Sequence, residues 1–286
     1  MRPFIFYGDP WFLSHNMVPQ LKDILDLLEK IAPSSTAEDW DNPGLQVGRL
    51  SQEIRKIFVS LDPTFEAAQE ASKRNAQLLL THHPLIFEPI SHLDWEIYPG
   101  NVIFEAFQHG LSIVALHTNL DVAPGGINDM LADLFQLNDV EVLQPRDDSK
   151  TRDAGLGRIG TFSEPVRLSI LVEKVKTLLG AQELRFVGDE NRLIRHVAVI
   201  GGSGGGMVSI ASKKGADLLI TGDIRHHDAL EAGHHGLALV DGGHFCTEKA
   251  SLTLFSKRLR DTLNEVGWDV QLDIYKEEKN PIRCWG

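Results

Sequence analysis

Cysteine is scarce in this chain: Cys246 and Cys284 are the only two in 286 residues. That is too few for a disulfide framework and suits a reducing compartment. Positive charge is also in deficit, with 28 Lys and Arg against 40 Asp and Glu and a formal net charge of -12. Such a balance argues against a nucleic-acid backbone or an anionic membrane surface as partner, while leaving room for a cation held by local carboxylates. No apolar run approaches the roughly 20 residues of a membrane helix. The N-terminus lacks the charged, apolar, then small pattern of a secretory signal. A cytoplasmic chain with no membrane association is therefore expected. Residues 1–16 read as a dispensable extension, because helical periodicity begins only after Met17.

With 42% hydrophobic residues, the chain has ample core for one large domain or two small ones. Val18 to Ala32 carries an amphipathic helical pattern that stops before Pro33. Residues 38–48 are rich in turn formers and carboxylates and read as loop. Ile54 to Leu61 alternates as a strand, Asp62-Pro63 opens a helix to about Asn75, and Gln77 to Thr81 is the next strand, which makes a βαβ unit.

The plan then recurs. His196 to Ile200 is a strand, 201–206 a glycine turn, Met207 to Lys214 a helix and Asp217 to Thr221 a strand. Residues 71–81 match 211–221 at most positions, so that His82 and His83 fall on Gly222 and Asp223. Residues 110–114 match 236–240 in the same way. The expectation is an α/β protein of two pseudo-repeated lobes with mainly parallel sheets and a metal site between them. The halves are expected over 17–145 and 146–286. Between them, Gly155 to Thr161 reads as a turn beside a short strand and Pro165 to Leu179 as a helix. Glu183 to Val187 reads as a strand, Leu252 to Val266 as a helix and Val270 to Tyr275 as a last strand.

Chemistry gathers where three apolar runs end. Leu78 to Thr81 stops at His82, His83 and Pro84; Leu111 to Leu116 stops at His117, with Asp121 four residues on; Leu237 to Val240 leads to His244 and Glu248. Ligands of open α/β sheets collect at the carboxyl ends of parallel strands. His244 and Glu248 share a face if a helix starts near Gly243, whereas His117 and Asp121 stand in an apparent loop. Five or six N/O ligands exceed what one zinc takes, and two divalent ions bridged by a carboxylate such as Glu248 account for them better. His92, His109, His196, His234 and His235 read as ordinary core or surface histidines, and Cys246 as structural. Gly202, Ser203 and Gly204 in the glycine run either hold a phosphate or form a tight turn, and no Walker motif follows. Asp223, Arg225 and His226 either reach the same site, with His226 as proton shuttle and Arg225 meeting an anion, or simply begin a helix with Asp223 as its N-cap.

Five motifs in order are Trp40-Asp41-Asn42-Pro43-Gly44-Leu45, Thr81-His82-His83-Pro84, His117-Thr118-Asn119-Leu120-Asp121, the stretch from Gly215 to Asp223, and that from Gly243 to Glu248. Together they resemble the Nif-three-like dinuclear metal-centre family, catalogued as GTP cyclohydrolase 1 type 2. The resemblance implies two divalent metals, with His83 and Asp121 on one, His82 and His244 on the other, and Glu248 on both; a His/Asp/Glu ligand set suits zinc, iron or manganese. It leaves His117 as an outer-sphere residue or proton shuttle. It also implies a toroidal homohexamer, in the compact form without the domain that some relatives insert between the halves. The activity it implies is hydrolytic opening of a purine nucleotide by metal-activated water. A non-catalytic metal-binding or regulatory interaction protein and a dinuclear phosphoesterase are the alternatives.

Overall fold

The computed structural model describes residues 17–146 and 153–283. The expected extension at 1–16 and Cys284 lie outside the described residues. Two compact units emerge, one of 17–120 with 253–279, the other of 121–252 with 280–283. Residues 121–145, assigned from the sequence to the first half, pack in the second unit, because the strand at 138–145 pairs there. No described helix is long and apolar enough to cross a membrane.

The first unit opens with α1 (Leu21–Ile31), whose buried Leu21, Ile24, Leu27, Leu28 and Ile31 form one helical stripe. Its start is tied by the Gln20 N–H donating to Asp23 Oδ2 at 2.8 Å. There follow β1 (Gly44–Val47), β2 (Lys56–Ser60), α2 (Phe65–Lys73), β3 (Leu78–Thr81), α3 (Gly100–His109) and β4 (Ser112–Ala115). Thr64 rather than Asp62-Pro63 caps α2, its Oγ1 accepting from the Ala67 N–H at 3.1 Å. The short helix α4 (Thr118–Val122) forms where a loop was expected.

In the second unit stand α5 (Ile127–Leu134), β5 (Asn138–Pro145), β6 (Gly155–Arg167), α6 (Leu168–Leu179), β7 (Arg185–Val187), β8 (Leu193–Ser203), α7 (Val208–Lys213), β9 (Leu218–Gly222), α8 (His226–His235) and β10 (Ala238–Asp241). A single helix, α9 (His244–Glu265), spans what was expected as a helix from Leu252 only, and β11 (Gln271–Ile274) returns to the first sheet beside β2.

The first sheet has the order β1-β4-β3-β2-β11, parallel except for β1 at the edge. The second runs β5-β6-β8-β9-β10-β7, with β8, β9 and β10 parallel and antiparallel strands outside them. The duplication is visible in register: Ile57 pairs with Leu78 and Leu78 with Ser112, as Val197 pairs with Leu218 and Leu218 with Ala238. Strands covered on both faces lose the alternation of a half-wet strand. Val197, Val199, Leu218 and Ile220 pack with Leu131, Phe135, Leu168 and Leu171, while Ala198, Ile200, Leu219 and Leu239 pack with Val208, Ala211 and Ala232. In the first unit Phe58, Leu79 and Ile113 meet Ala68, Ala71, Val102 and Ala106.

Residues 155–161 belong to a thirteen-residue strand rather than a turn. Their glycines are there for close approach: at Gly157, with φ +68°, a Cβ would press on Ile200 and Leu143. Beside them Arg158 is buried and paired with Asp129 at 2.8 and 2.7 Å, and it also donates to the Gly155 and Gly157 carbonyls. Asp129 thereby fixes α5 to the sheet. Its neighbour Asn128 in turn donates to the Asp121 carbonyl at 2.9 Å and accepts from the Gly201 N–H at 2.9 Å. Removing the acid leaves a buried guanidinium uncompensated, so Asp129→Ala is expected to destabilise the fold by about 3–5 kcal/mol. Urea unfolding followed by circular dichroism checks this, and an unchanged midpoint would contradict it.

Candidate metal centre

Just beyond the carboxyl ends of β3 and β4, His82, His83 and His117 turn their rings toward one another. Ring centroids lie 5.1 Å apart for His82 and His83, and 5.3 and 5.4 Å from His117 to each of them. One nitrogen from each falls within 4.8 Å of the others. The turn that makes this possible is a double backbone contact, with the His82 and His83 N–H groups both donating to the Leu61 carbonyl at 3.2 and 3.0 Å. His117 was expected near the site without a ligand role; it stands as close as the other two.

Each of these rings is held by its Nδ1. His82 Nδ1 donates to the Leu116 carbonyl, His83 Nδ1 to Asp62 Oδ1 and His117 Nδ1 to Asp41 Oδ1, all at 2.7 Å. An oxygen acceptor at Nδ1 places the proton there and leaves Nε2 with its lone pair, as in metal-ligating histidines. The acceptors are themselves fixed. Asp41 also receives the Thr118 N–H at 3.0 Å, the Thr118 hydroxyl and the Asn42 N–H at 2.8 Å. Burial alone would raise its carboxyl, but the hydrogen bonds from His117 and Thr118 outweigh that and bring it down to about 2. At the end of β2, Glu278 accepts the Leu61 and Asp62 N–H groups at 2.8–3.0 Å, which anchors the turn carrying Asp62.

In the second unit the corresponding chemistry lies at the start of α9. Gly243, at φ +79°, lets the chain turn so that His244 opens the helix and meets Glu248 one turn later, Nε2 to Oε2 at 3.0 Å. His244 Nδ1 donates to Asp223 Oδ2 at 2.7 Å, the same pinning seen in the first unit. Glu248 is buried against Gly202, which sits at φ +66°; a Cβ there would collide with the carboxylate. Asp121 stands on α4, four residues from His117.

The remaining predicted residues fall as follows. Gly201 and Gly202 end strand β8 rather than forming a turn, and the Gly202 N–H donates to Thr247 Oγ1 at 3.0 Å. Ser203 closes that strand exposed, and Gly204 packs so closely that a Cβ would meet Thr221 and Ile200. Asp223 is not the N-cap of α8; that place belongs to Arg225, and Asp223 is held at φ +53° facing His244. Arg225 pairs with Asp228 at 2.8 and 3.0 Å, and exposed His226 packs its ring on His227 at 5.6 Å. Sequence reasoning missed Asp41 and Asp62 as ring-orienting carboxylates. Both were in view, one in the Trp40-Asp41-Asn42 loop and one read as a helix opener, but nothing in their spacing ties them to a histidine.

Hydrogen bonding to Glu248, opposed by burial and reinforced by Asp223, raises the His244 imidazolium to about 9. In the metal-free protein this contribution to stability is full below 6.5 and lost as pH rises through 9. Metal must displace the proton at Nε2, so divalent-ion affinity here is expected to rise about tenfold per unit between pH 7 and 9. Chelator competition across that range checks it, and a flat profile would contradict it.

A family model described as Duf34/NIF3 (NGG1p interacting factor 3) matches residues 19–281. A Clostridium acetobutylicum protein named GTP cyclohydrolase 1 type 2 homolog is 31% identical over 264 residues, 92% of this chain and 98% of its own length. A Lactococcus lactis protein of the same name is 35% identical over 268 residues, again 92% and 98%. Among solved structures, a Bacillus cereus protein related to NIF3 superposes with a TM-score of 0.89 at 26% identity, over 94% of this chain and all of its own. Reduced HcgD from Methanocaldococcus jannaschii does so with 0.75 at 29%, over 91% and 99%. With the match running through nearly every described element, the chain belongs to the DUF34/NIF3 family.

Proposed function

We propose that this chain is a divalent-metal-dependent hydrolase acting on a purine nucleotide. His82, His83, Asp121, His244 and Glu248 would together hold two ions, zinc, iron or manganese. His83 and Asp121 would serve one, His82 and His244 the other, and Glu248 both. The observation that carries the reading is the common state of four histidines, each with Nδ1 bound to an oxygen at 2.7 Å. Such orientation suits Nε2 donation to a metal. The name GTP cyclohydrolase 1 type 2 homolog, borne by relatives above 30% identity, supports the substrate class.

Metal ions, if bound by these residues, would supply an acidified water and a Lewis acid for the substrate. The protein's own part is positioning and proton transfer. His117, with Nδ1–H fixed on Asp41, accepts or returns a proton at Nε2. Asp41 stays anionic throughout the neutral range and keeps that tautomer. His226 is a second candidate shuttle. Arg225, mostly exposed beside Asp228, is the candidate for the phosphates, together with Gly202, Ser203 and Gly204. One water would open the ring at C8 to a formamide and a second would release formate, so the reaction is hydrolysis with no redox partner.

The family description as an interacting factor favours a second reading, a metal-binding protein that acts through partners without turnover. Assembly into a homohexamer is proposed with either reading and is checked by light scattering. Elemental analysis is expected to find two metals per chain, and His83→Ala or Glu248→Ala to lose metal and activity together. GTP assayed for formate against inorganic phosphate separates ring opening from phosphoester hydrolysis. Turnover that persists after the metals are stripped contradicts the hydrolase reading, and metal binding without turnover of any nucleotide leaves the partner protein.

A further inference from the structure

Two large aromatic rings stand in solvent beside the histidine trio. Trp40 is 59% exposed and Phe87 50% exposed. Their centroids are 5.8 Å apart, and both approach His117, at 6.0 and 6.4 Å, close to edge-on. The rings thus continue the aromatic surface outward from the metal-competent nitrogens. Both come from loops, yet those loops are tied together. Asn42 Nδ2 donates to the Ile86 carbonyl at 2.6 Å, the Ile86 N–H donates to Gln46 Oε1 at 3.0 Å, and Gln46 Nε2 donates to the Asn42 carbonyl at 2.8 Å. Both backbone groups of the residue preceding Phe87 are therefore fixed to the segment following Trp40. Exposed apolar rings held in place beside a polar cluster mark a binding surface rather than a folding need.

We infer that Trp40 and Phe87 form a stacking platform for a flat heteroaromatic ring presented to the histidine cluster. The inference rests on the metal-site reading for its polarity but not on turnover. Trp40 and Phe87 touch at a 46° tilt, which leaves no slot between them. The ligand ring therefore lies on their outward faces, in the offset geometry that aromatic quadrupoles favour. A cationic guest is disfavoured, because divalent ions held by the adjacent histidines would repel it. A ring with lone-pair nitrogens on its edge, such as a purine, suits both neighbours. His117, touching both rings and bound to Asp41, sets the distance between platform and metal.

The test uses guanosine, which has a base and no phosphate, on metal-loaded protein, with binding followed by calorimetry and with ribose and inorganic triphosphate as controls. Guanosine is expected to bind where ribose does not. Trp40→Ala is expected to weaken it about 5- to 160-fold, the range for loss of one base–aromatic stack. Trp40→Phe restores most of that affinity, and Phe87→Ala also weakens binding. Phe107→Ala, which removes another exposed ring on α3, leaves it unchanged. Metal content stays constant in all four variants. Equal guanosine affinity in the wild type and Trp40→Ala overturns the proposal, as does an equal loss in Phe107→Ala. If Trp40→Ala changes only the assembly size, the rings are a subunit contact and the proposal fails. Guanosine binding that depends on Trp40 without any hydrolysis sinks the enzyme reading alone. Hydrolysis with a KM insensitive to both rings sinks the platform alone.

Discussion

In each unit the histidine chemistry depends on which nitrogen of an imidazole keeps its proton. A neutral histidine offers a metal one lone pair, and the hydrogen bond made by the other nitrogen decides where that pair is. Here the Leu116 carbonyl, Asp62, Asp41 and Asp223 each take an Nδ1–H at 2.7 Å. The metal-competent surface is thus prepared by groups that would not touch the metal. Those groups are prepared in turn, Asp41 by Thr118 and Asn42, and the Asp62 turn by Glu278 from the far end of the chain. Loss of an orienting group would be felt as a wrong tautomer rather than as a missing ligand.

The duplicated fold shows how one scaffold supplies both kinds of group. Because the two parallel cores share their register, positions can be compared strand by strand. The first copy ends its strand in His82 and His83; the second ends in Gly222 and Asp223, and there the acid orients a histidine instead of being replaced by one. Asp62, which holds His83, has Gly202 at its matching place, and the missing side chain makes room for the Glu248 carboxylate. The copies have diverged by exchanging a ring for an acid and an acid for a space. The pairing keeps its register through the buried parts of the strands, and β8 departs from it only between Val199 and Ser203, at the end where Gly202 makes that room.

The aromatic surface has its own logic. Trp40 follows from the same loop that brings Asp41 to His117, and Phe87 follows from the loop that leaves His83. One backbone excursion therefore delivers both an orienting carboxylate and an exposed ring. The hydrogen bonds of Asn42 and Gln46 to Ile86 make the pairing of these loops rigid.

Periodicity and strand-end chemistry were legible without coordinates: the α/β class, the internal repeat, the apolar strands and the histidines and acids that follow them all stand in local patterns. Local pattern also suggested His244 and Glu248 on one helical face, since four residues make one turn. Tertiary structure decided what separation in sequence conceals. The glycines from 155 to 160 looked like a turn because propensity speaks for the isolated chain, whereas packing against Leu143 and Ile200 makes them strand. Asp62 and Asp223 looked like helix caps because an acid before a helix usually is one, and only the fold brings a histidine ring within 2.7 Å of each. Asp41 and His117 stand 76 residues apart, and no spacing rule connects them. A sequence states which groups can bond; the closing of loops between strands chooses the partner, because a hydrogen bond depends on angstroms of approach and not on distance along the chain.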